Sequence, residues 1–331
     1  MDRTSLIISK TPYRLSLLGG GTDYPSYYKD SEGAVLAGSI NKYCYIMLRV
    51  LPPFFDYKYH VAYSEIERCK EISEIRHPAV REIIKLSEID EGIDLRHAGD
   101  LPARAGMGTS SAFVVSLINA LWTLKNTSLS KMDIAKMSIY AEQELLKERV
   151  GSQDQTTSAI GGFNRLDFSW DDGTDVKVTP IKNAEFIEQY LMLFFTGLSR
   201  TSSSIVKTQI ERTNENKPML RYMYELVCSG QRAIEHSNIN ELSRLLGESW
   251  SIKKRLSPDV STDYIDFIYD KAIKAGAMSG KLNGGGGGGF MTFLVEPDKQ
   301  DSVRNALSKL VYVPVKFEYE GTQIIYGKTR R

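Results

Sequence analysis

The chain has 331 residues, a length that predicts roughly two domains, each large enough to enclose its own hydrophobic core. Its 42 basic and 41 acidic side chains leave a net charge of +1, which argues against a nucleic-acid partner and against a polybasic membrane patch. The hydrophobic content of 42% and charged content of 25% exclude a wholly disordered chain. Three widely separated cysteines, Cys44, Cys69 and Cys228, provide neither a disulfide framework nor a zinc ribbon.

The N-terminal residues contain one short apolar run, Leu6 to Ile8, which is too short for the hydrophobic region of a signal peptide. The longest uncharged window, residues 105–124, is interrupted by glycine, serine and threonine, whereas a membrane span needs about 20 predominantly apolar residues. We therefore expect a cytoplasmic protein with no membrane segment.

The first half of the chain begins with strands and continues with helices. Apolar and aromatic runs separated by glycine and proline predict strands at residues 6–9, 15–18, 34–50 and 57–63. A charged helical stretch at about 65–86 and a short strand at 93–97 follow. Residues 112–124 are apolar on all sides, which predicts a helix buried in the core. Two more helices, at 131–147 and from 151, precede strands at 162–168 and 176–178.

The second half begins with a strand at 190–195 and continues with long helical stretches to about 275, in which Pro218 and Pro258 are the predicted breaks. Strand, helix and strand then alternate at 277–282, 290–295, 298–310, 311–319 and 323–326. The change of pattern predicts two α+β domains, residues 1–180 and 181–331, without an internal repeat.

Nine of the 26 glycines fall in two runs, Gly19–Gly21 and Gly284–Gly289. Such runs cost backbone entropy on folding and therefore need a physical reason. A flexible linker is disfavoured because apolar strands flank the second run without a polar spacer. A Rossmann turn is a weak match because no helix opens from that run and no acidic residue lies about 20 residues further on. We favour close approach of the glycine backbone to a ligand or to another loop.

A third glycine-containing loop, residues 106–111, leads directly into the predicted buried helix. A helix start offers unpaired backbone N–H groups and the positive end of the helix dipole, and this one adds three hydroxyl groups. The loop therefore suits a polyphosphate. An ordinary serine or threonine cap is the alternative, although a cap needs one hydroxyl and no glycine. A Walker A loop and the protein-kinase motifs are absent from the sequence.

Three motifs, in this order, resemble the GHMP small-molecule kinase family: TPYRLSLLGGGTDY at 11–24, LPARAGMGTSSA at 101–112 and GKLNGGGGGGF at 280–290. Together they span nearly the whole chain. The resemblance implies a two-domain α+β fold, with an N-terminal domain of mixed sheet and helices and a ferredoxin-like C-terminal domain. Within the family, GGGTDY, GSQDQ at 151–155 and TGLSR at 196–200 are most similar to kinases of D-glycero-D-manno-heptose 7-phosphate, with fucokinase-type enzymes next.

The implied activity is ATP-dependent phosphorylation of the anomeric C1 hydroxyl of D-glycero-D-manno-heptose 7-phosphate. The product would be the α-1,7-bisphosphate, a precursor of GDP-heptose in surface-polysaccharide synthesis. ATP and Mg²⁺ are the implied cofactors, and the partners are a sugar phosphate and ATP, with a homodimer left open. Two alternatives stay open: a 1-kinase of an unphosphorylated sugar such as fucose, and a catalytically silent sensor that binds sugar and ATP.

The resemblance also assigns roles to the reacting end of the site. The ATP phosphate loop corresponds to Gly106, Met107, Gly108, Thr109, Ser110 and Ser111. Ser110 and Glu142, which lies twelve residues before Asp154, would hold Mg²⁺. Asp154 matches the catalytic base and Arg14 its cationic partner. Without the resemblance, Glu142 is an ordinary solvent-facing carboxylate and Asp154 a charge at a helix start.

The resemblance assigns substrate binding to Gly20, Gly21, Asp23, Tyr24 and Arg200. Asp23 matches the aspartate that accepts hydrogen bonds from sugar hydroxyls, with a turn-forming Asp as the alternative. Galactokinase-like chains carry Glu-His where this chain has Gly20-Gly21, which argues against galactose and leaves room for a larger or phosphorylated sugar. Arg200, before four hydroxyl residues at an apparent helix start, is our candidate ligand of a sugar phosphate, and a plain helix cap with a surface arginine is the alternative. The resemblance also implies that Gly284, Gly285, Gly286 and Gly287 support the phosphate loop structurally.

Overall fold

Two β-sheets carry the architecture of the chain, and the structure, a computed structural model, describes residues 6–171, 173–198 and 203–327. The larger sheet contains β1 (Leu6–Leu18), β2 (Gly33–Val50), β3 (Tyr59–Ala62), β4 (Ile66–Cys69), β5 (Ile93–Gly99), β6 (Phe163–Trp170), β7 (Thr174–Pro180) and β12 (Gln323–Tyr326). Its main strand order is β12-β1-β2-β5-β3-β4, and β6 pairs with β2 and with β7. All of these pairs are antiparallel except β3 with β5.

The first strand is longer than the sequence pattern suggests. The predicted strands at 6–9 and 15–18 are one strand, because β1 continues through Pro12. The register with β2 shifts between Pro12 and Tyr13, and a bulge of this kind accommodates a proline that cannot donate to the ladder. The strand therefore continues past the bulge and carries Arg14 toward the loop before the buried helix.

In the described part of the chain, five α-helices accompany the larger sheet: α1 (Pro25–Tyr28), α2 (Pro78–Ser87), α3 (Thr109–Leu124), α4 (Lys131–Tyr140) and α5 (Gln153–Ile160). α3 packs against β1 and β2 and is buried along most of its length, as its all-round apolar sequence predicts. The helix predicted over 65–86 is wrong in its first half. Residues 66–69 alternate between exposed and buried and form β4, and the true helix begins only at Pro78, whose ring favours a first helical position.

The smaller sheet contains β8 (Leu191–Phe195), β9 (Ala277–Leu282), β10 (Phe290–Val295) and β11 (Val311–Val313). Its antiparallel order, β11-β8-β10-β9, is the ferredoxin-like order of two βαβ halves. Among the described residues, five α-helices complete this part: α6 (Ser203–Glu211), α7 (Thr213–Glu235), α8 (Ile239–Leu256), α9 (Asp263–Lys274) and α10 (Gln300–Ala306). The predicted α+β class with a ferredoxin-like second part is confirmed.

Two details of the second half depart from the sequence prediction. Pro218 lies inside α7 rather than at a break, and the helical stretch is interrupted instead at Arg212. Pro258 does follow the end of α8, as predicted. The final strand, β12, pairs with β1 and so returns to the larger sheet. The C-terminal strand thus belongs to the sheet of the first half, and the domain boundary near residue 180 stays a prediction.

The two sheets meet at the loop before α3. The amide of Phe290, the first residue of β10, donates to the carbonyl of Ala105 (3.2 Å). The Lys281 ammonium on β9 donates to the carbonyls of Ser16 (2.9 Å) and Leu17 (3.1 Å) on β1. These bonds place the glycine run after β9 directly against the loop that opens α3. Among the described residues, no helix is both long and apolar enough to cross a membrane.

Candidate active site

The loop that opens α3 presents the helix start without a side-chain cap. Gly106 and Gly108 both have positive φ, +77° and +69°, a backbone region that favours glycine. Gly108 is the N-cap residue, and within the described chain no side chain caps it. The N–H groups of Thr109, Ser110 and Ser111 are those that a helix start leaves without intrahelical partners. The ordinary serine or threonine cap considered from the sequence is therefore wrong, and the geometry suits an anion.

The glycines of this loop are required by close contacts. A Cβ on Gly106 would lie 2.4 Å from the carbonyl oxygen of Asn283, and a Cβ on Gly284 would lie 2.5 Å from Cα of Gly106. A Cβ on Gly108 would lie 3.0 Å from Cγ of Arg14. The glycine clusters therefore serve a close approach of one loop to another, as the sequence suggested.

The other glycines predicted to support the phosphate loop contact the helices behind it. Gly285 accepts a hydrogen bond from Gln209 (2.9 Å), and the Gly287 amide donates to the carbonyl of Val260 (3.1 Å). A Cβ on Gly286 would lie 2.8 Å from Cα of Val260. Gly284 thus touches the loop that opens α3, whereas the next three glycines connect the run to α6 and to the segment between α8 and α9.

Arg14 and Asp154 form a bidentate ion pair across 140 residues of sequence. Nε of Arg14 donates to Oδ1 of Asp154 (2.6 Å), and Nη2 donates to Oδ2 (2.8 Å). The remaining Nη1 donates to the carbonyl of Gly106 (2.7 Å). The Arg14 side chain is 5% exposed and that of Asp154 is 23% exposed. One guanidinium therefore joins β1, the phosphate loop and α5, and it leaves part of the carboxylate open.

Asp154 lies in the first turn of α5, which the sequence prediction started slightly early, at residue 151. The N-cap residue Ser152 makes no side-chain cap. Its hydroxyl bonds instead to the hydroxyl of Tyr28 (2.9 Å) and accepts from Gln143 (3.0 Å). The position near a helix N-terminus favours a negative charge, and the arginine adds to that preference.

Glu142 lies where the chain widens into one π-helical turn, Ala141–Leu145, directly after α4. Its side chain is fully buried and accepts hydrogen bonds from the hydroxyl of Ser111 (2.8 and 3.1 Å) and from the amide of Gln155. Burial, followed by the charge of Glu148, raises the pKa of Glu142 to about 8. Glu142 is therefore not the ordinary solvent-facing carboxylate that its sequence position alone would suggest.

The predicted magnesium ligands are placed unequally. Glu142 contacts Ser111, whereas Ser110 is exposed. Within the described ranges, no group of three or more His, Cys, Asp and Glu residues forms a metal centre. Mg²⁺ usually takes one or two protein oxygens together with substrate phosphates and water. Glu142 and the serine hydroxyls at the start of α3 offer only oxygen donors, which fits that chemistry.

Asp23 is buried rather than open to solvent. It is 2% exposed, and it accepts from the amide of Gly21 (2.9 Å) and from Nε2 of Gln153 (2.9 Å). A Cβ on Gly151 would lie 1.9 Å from Oδ2 of Asp23, so a glycine is needed there. Burial raises the pKa of Asp23 and also that of the neighbouring Tyr24. Each carboxylate oxygen retains a second lone pair for a hydroxyl donor.

The other predicted substrate residues lie at a closed part of the surface. Gly20 is buried, and Gly21 and Tyr24 border a cavity of about 10 Å³ against α6, α7 and the end of α8. That volume is of the size that one water needs. A sugar at this point therefore requires α6 and α7 to move away from the Gly21 turn. Arg200, the predicted ligand of the sugar phosphate, lies outside the described residues.

Sequence reasoning missed Lys253. This side chain on α8 is 7% exposed, and its ammonium donates to the carbonyl of Gly284 (2.5 Å). Burial, followed by the charge of Arg14, lowers the pKa of Lys253 to about 8. A signal was available, because Lys253 follows the buried Leu246 and Trp250 at helical spacing and so lies on the apolar face of α8.

The chain matches two family descriptions: GHMP kinases N terminal domain over residues 74–162 and GHMP kinases C terminal over residues 231–313. It is 32% identical to the D-glycero-alpha-D-manno-heptose 7-phosphate kinase of Campylobacter jejuni, over 92% of this chain and 93% of that one. It is 31% identical to the mevalonate kinase of Pyrococcus abyssi, over 71% and 69% of the two chains.

A solved structure with the same fold is that of a D-glycero-D-manno-heptose 1-phosphate kinase from Bacteroides thetaiotaomicron. It has a TM-score of 0.79 and 25% identity, and the match covers 97% of this chain and 99% of that one. A galactokinase from Lactococcus lactis, solved with galactose, shares the fold at 16% identity and a TM-score of 0.77, over 97% and 96% of the two chains. The chain therefore belongs to the GHMP kinase family and is a phosphotransferase.

Proposed function

We propose that this kinase transfers the terminal phosphoryl group of ATP to the C1 hydroxyl of D-glycero-D-manno-heptose 7-phosphate and forms the α-1,7-bisphosphate. The observation that carries the proposal is the Arg14–Asp154 ion pair, which lies directly against the phosphate loop through the Gly106 carbonyl. The similarity to a heptose 7-phosphate kinase over almost the full length supports the choice of sugar.

At the nucleotide end, the amides of Gly108, Thr109, Ser110 and Ser111 would donate to the phosphates, with Met107 fixed by its carbonyl, which accepts from the Arg14 amide (3.2 Å). Ser110 and Glu142 would hold Mg²⁺, which when bound neutralises charge on the phosphates. Glu142 is already oriented by Ser111 and Gln155, so it needs little reorganisation to serve as a ligand.

At the acceptor end, Asp154 would accept the proton of the C1 hydroxyl as the oxygen forms its bond to the terminal phosphorus. The bond between that phosphorus and the oxygen of the departing ADP breaks in the same step, so the proton ends on the carboxylate. Arg14 keeps the two carboxylate oxygens in a fixed orientation. Positioning and charge neutralisation supply most of the rate in such a transfer, because the protein makes no covalent bond.

At the sugar end, Asp23 would accept hydrogen bonds from hydroxyl groups, and Gly20 and Gly21 would present backbone in place of larger side chains once α6 and α7 have moved away from the Gly21 turn. Tyr24 would border the same space. Arg200 remains the proposed ligand of the 7-phosphate, because a guanidinium matches a phosphate bidentately.

Phosphorus NMR of the reaction products tests this function. With ATP, Mg²⁺ and heptose 7-phosphate, we expect ADP and one new resonance whose coupling to the anomeric proton identifies a C1 phosphate and its α configuration. The unphosphorylated heptose and fucose are the matched comparison substrates. Preferred turnover of fucose would contradict the proposed sugar, and no turnover with any sugar would leave a sugar and nucleotide sensor instead.

A further inference from the structure

Lys253 is a buried cation at the reacting end of the site, and nothing in the mechanism above uses it. Its ammonium has three N–H donors, and its one hydrogen bond within the described chain is to the carbonyl of Gly284 (2.5 Å). The groups whose charges act on it are Arg14, Asp23 and Asp154. The ammonium is therefore within electrostatic reach of the proposed base, its arginine and the proposed sugar-binding aspartate.

The charges in this cluster do not balance. Three cations, Arg14, Lys253 and Lys281, face two carboxylates, Asp23 and Asp154, which leaves an excess of one positive charge. Arg14 is paired with Asp154, and Lys281 is held by two β1 carbonyls. Lys253 has no carboxylate oxygen of the described residues within 4.0 Å of its nitrogen.

A buried cation without a counter-charge is costly unless a ligand supplies one. The lowered pKa of Lys253, about 8, agrees with this environment and still leaves the ammonium mostly charged at neutral pH. If burial neutralises both Lys281 and Asp23, the excess of one positive charge remains, because one charge of each sign is lost.

We propose that the Lys253 ammonium donates to the phosphoryl group during its transfer, so that α8 supplies a second cation beside Arg14. The inference rests on the kinase function proposed above. A charged donor aimed at oxygens whose charge is redistributed in the transition state stabilises that state more than the bound ground state. Its bond to Gly284, which lies against Gly106, ties the position of this ammonium to the position of the phosphate loop.

The competing explanation is purely structural: Lys253 would only tie α8 to the glycine run. Lys253→Met removes both the charge and the bond to Gly284, whereas Lys253→Gln removes the charge and retains an N–H donor for that carbonyl. If the ammonium acts on the phosphoryl group, both variants lose about 10²-fold in kcat, the scale found for a single transition-state donor. They should bind ADP, which lacks the transferred group, with an affinity close to that of the wild type.

The matched control is the neighbouring residue on the same helix. Lys254 is more exposed and pairs with Asp266 (3.0 Å) away from the site, so Lys254→Met should keep wild-type kcat and ADP affinity. A structural tie predicts a different pattern: Lys253→Gln would keep wild-type kcat, and Lys253→Met would lower the melting temperature and weaken ADP binding. That pattern would overturn the proposal.

A pH profile of kcat at saturating Mg²⁺ and substrates gives a second readout. Lys253 is protonated below its pKa of about 8, so wild-type kcat should decline as the pH rises through that value. In Lys253→Gln that decline should be lost. The charged groups that face Lys253 are Arg14 from β1, Asp23 after it, Asp154 from α5 and Lys281 from β9. These four are common to both enzymes, so the difference between the profiles reports on Lys253.

The comparison is made with whichever sugar the wild-type enzyme phosphorylates. Turnover of fucose instead of heptose 7-phosphate would contradict the proposed substrate and leave the comparison of Lys253 variants intact. A wild-type enzyme that transfers no phosphoryl group to any sugar would overturn both proposals. Equal kcat in Lys253→Gln, Lys253→Met and wild type would overturn the role of Lys253 alone.

Discussion

Two carboxylates, Asp154 and Glu142, lie next to the loop that opens α3 and have opposite surroundings. Asp154 is held by both ends of the Arg14 guanidinium and is 23% exposed, so its charge is matched by a cation of the protein. Glu142 is fully buried, and its partners Ser111 and Gln155 are uncharged. Arg14 balances the charge of Asp154, whereas Glu142 is buried and pairs with no cation of the described residues, so it lacks a cation until a ligand brings one.

The largest loss of activity is expected on replacing Asp154, the proposed base. Asp154→Asn keeps the shape of the side chain and removes its capacity to accept the proton of the sugar hydroxyl. We expect kcat to fall by about 10²- to 10⁴-fold, the usual contribution of a general base. ADP affinity, measured by calorimetry, should change little. Near-wild-type turnover in this variant would contradict the assignment of Asp154 as the base.

Removing the partner tests whether the pair acts as a unit. Arg14→Met leaves Asp154 without its guanidinium and Gly106 without a donor, so we expect kcat to fall by about 10²-fold. The double variant with Asp154→Asn should lose far less than the product of the two single losses, because contacting residues are not additive. A steady-state double-mutant cycle measures this coupling, and independent effects would show that the ion pair is incidental to catalysis.

Glu142 has no cationic partner among the described residues, so its replacement should change the Mg²⁺ concentration that the enzyme needs for activity. Glu142→Gln should weaken Mg²⁺ activation by about 10-fold or more, in the range of lost metal-site interactions. In the wild type, the Mg²⁺ concentration for half-activation should rise as the pH falls below about 8, because the glutamate becomes protonated. In the variant this pH dependence should disappear, whereas a dependence unchanged from wild type would contradict Glu142 as the ligand.

The same raised pKa has a consequence for stability without metal. The folded state holds a proton on Glu142 up to about pH 8, whereas the unfolded chain releases it near the ordinary pKa of a glutamate. The folded state therefore binds more protons in this window, so stability decreases as the pH rises from about 5 to 8. Glu142→Gln should remove that part of the decrease in the melting temperature measured without Mg²⁺. Added Mg²⁺ should diminish the decrease in the wild type.

The smallest expected effect concerns the contact between the two glycine loops. Gly284→Ala places a Cβ 2.5 Å from Cα of Gly106 at a φ of +75°. Gly197→Ala is a matched control, since its φ is +78° and no atom of the described residues lies within 4 Å of its added Cβ. Both variants share the backbone strain of about 1 kcal/mol or more. Only Gly284→Ala should also raise the KM for ATP, by several-fold, and equal KM values would show that the contact does not shape the phosphate loop.

The sequence alone predicted features that depend on local pattern. The all-round apolar run of 112–124 was a buried helix, and the clustered glycines did mark a close approach between loops. The helix predicted over 65–86 failed where charged residues obscured the alternation of a short strand at Ile66–Cys69. Local patterns carry no information on partners far along the chain, so the pairing of Arg14 with Asp154 came from the family resemblance alone.

Other parts of the site needed three-dimensional packing. The sequence could not distinguish the hydroxyl of Ser110 from that of Ser111, because a shift of one residue on a helix turns the side chain by about 100°. In the structure Ser111 faces Glu142 and Ser110 is exposed. Lys253 is next to another lysine, and only its position on the buried face of α8 separates the two.

A crystal structure with a non-hydrolysable ATP analogue, Mg²⁺ and the sugar substrate tests the central claim most directly. We expect the terminal phosphates to accept hydrogen bonds from the amides that begin α3, and an oxygen of Asp154 to lie within hydrogen-bond distance of the acceptor hydroxyl. Nucleotide phosphates bound elsewhere, or an acceptor hydroxyl distant from Asp154, would contradict it.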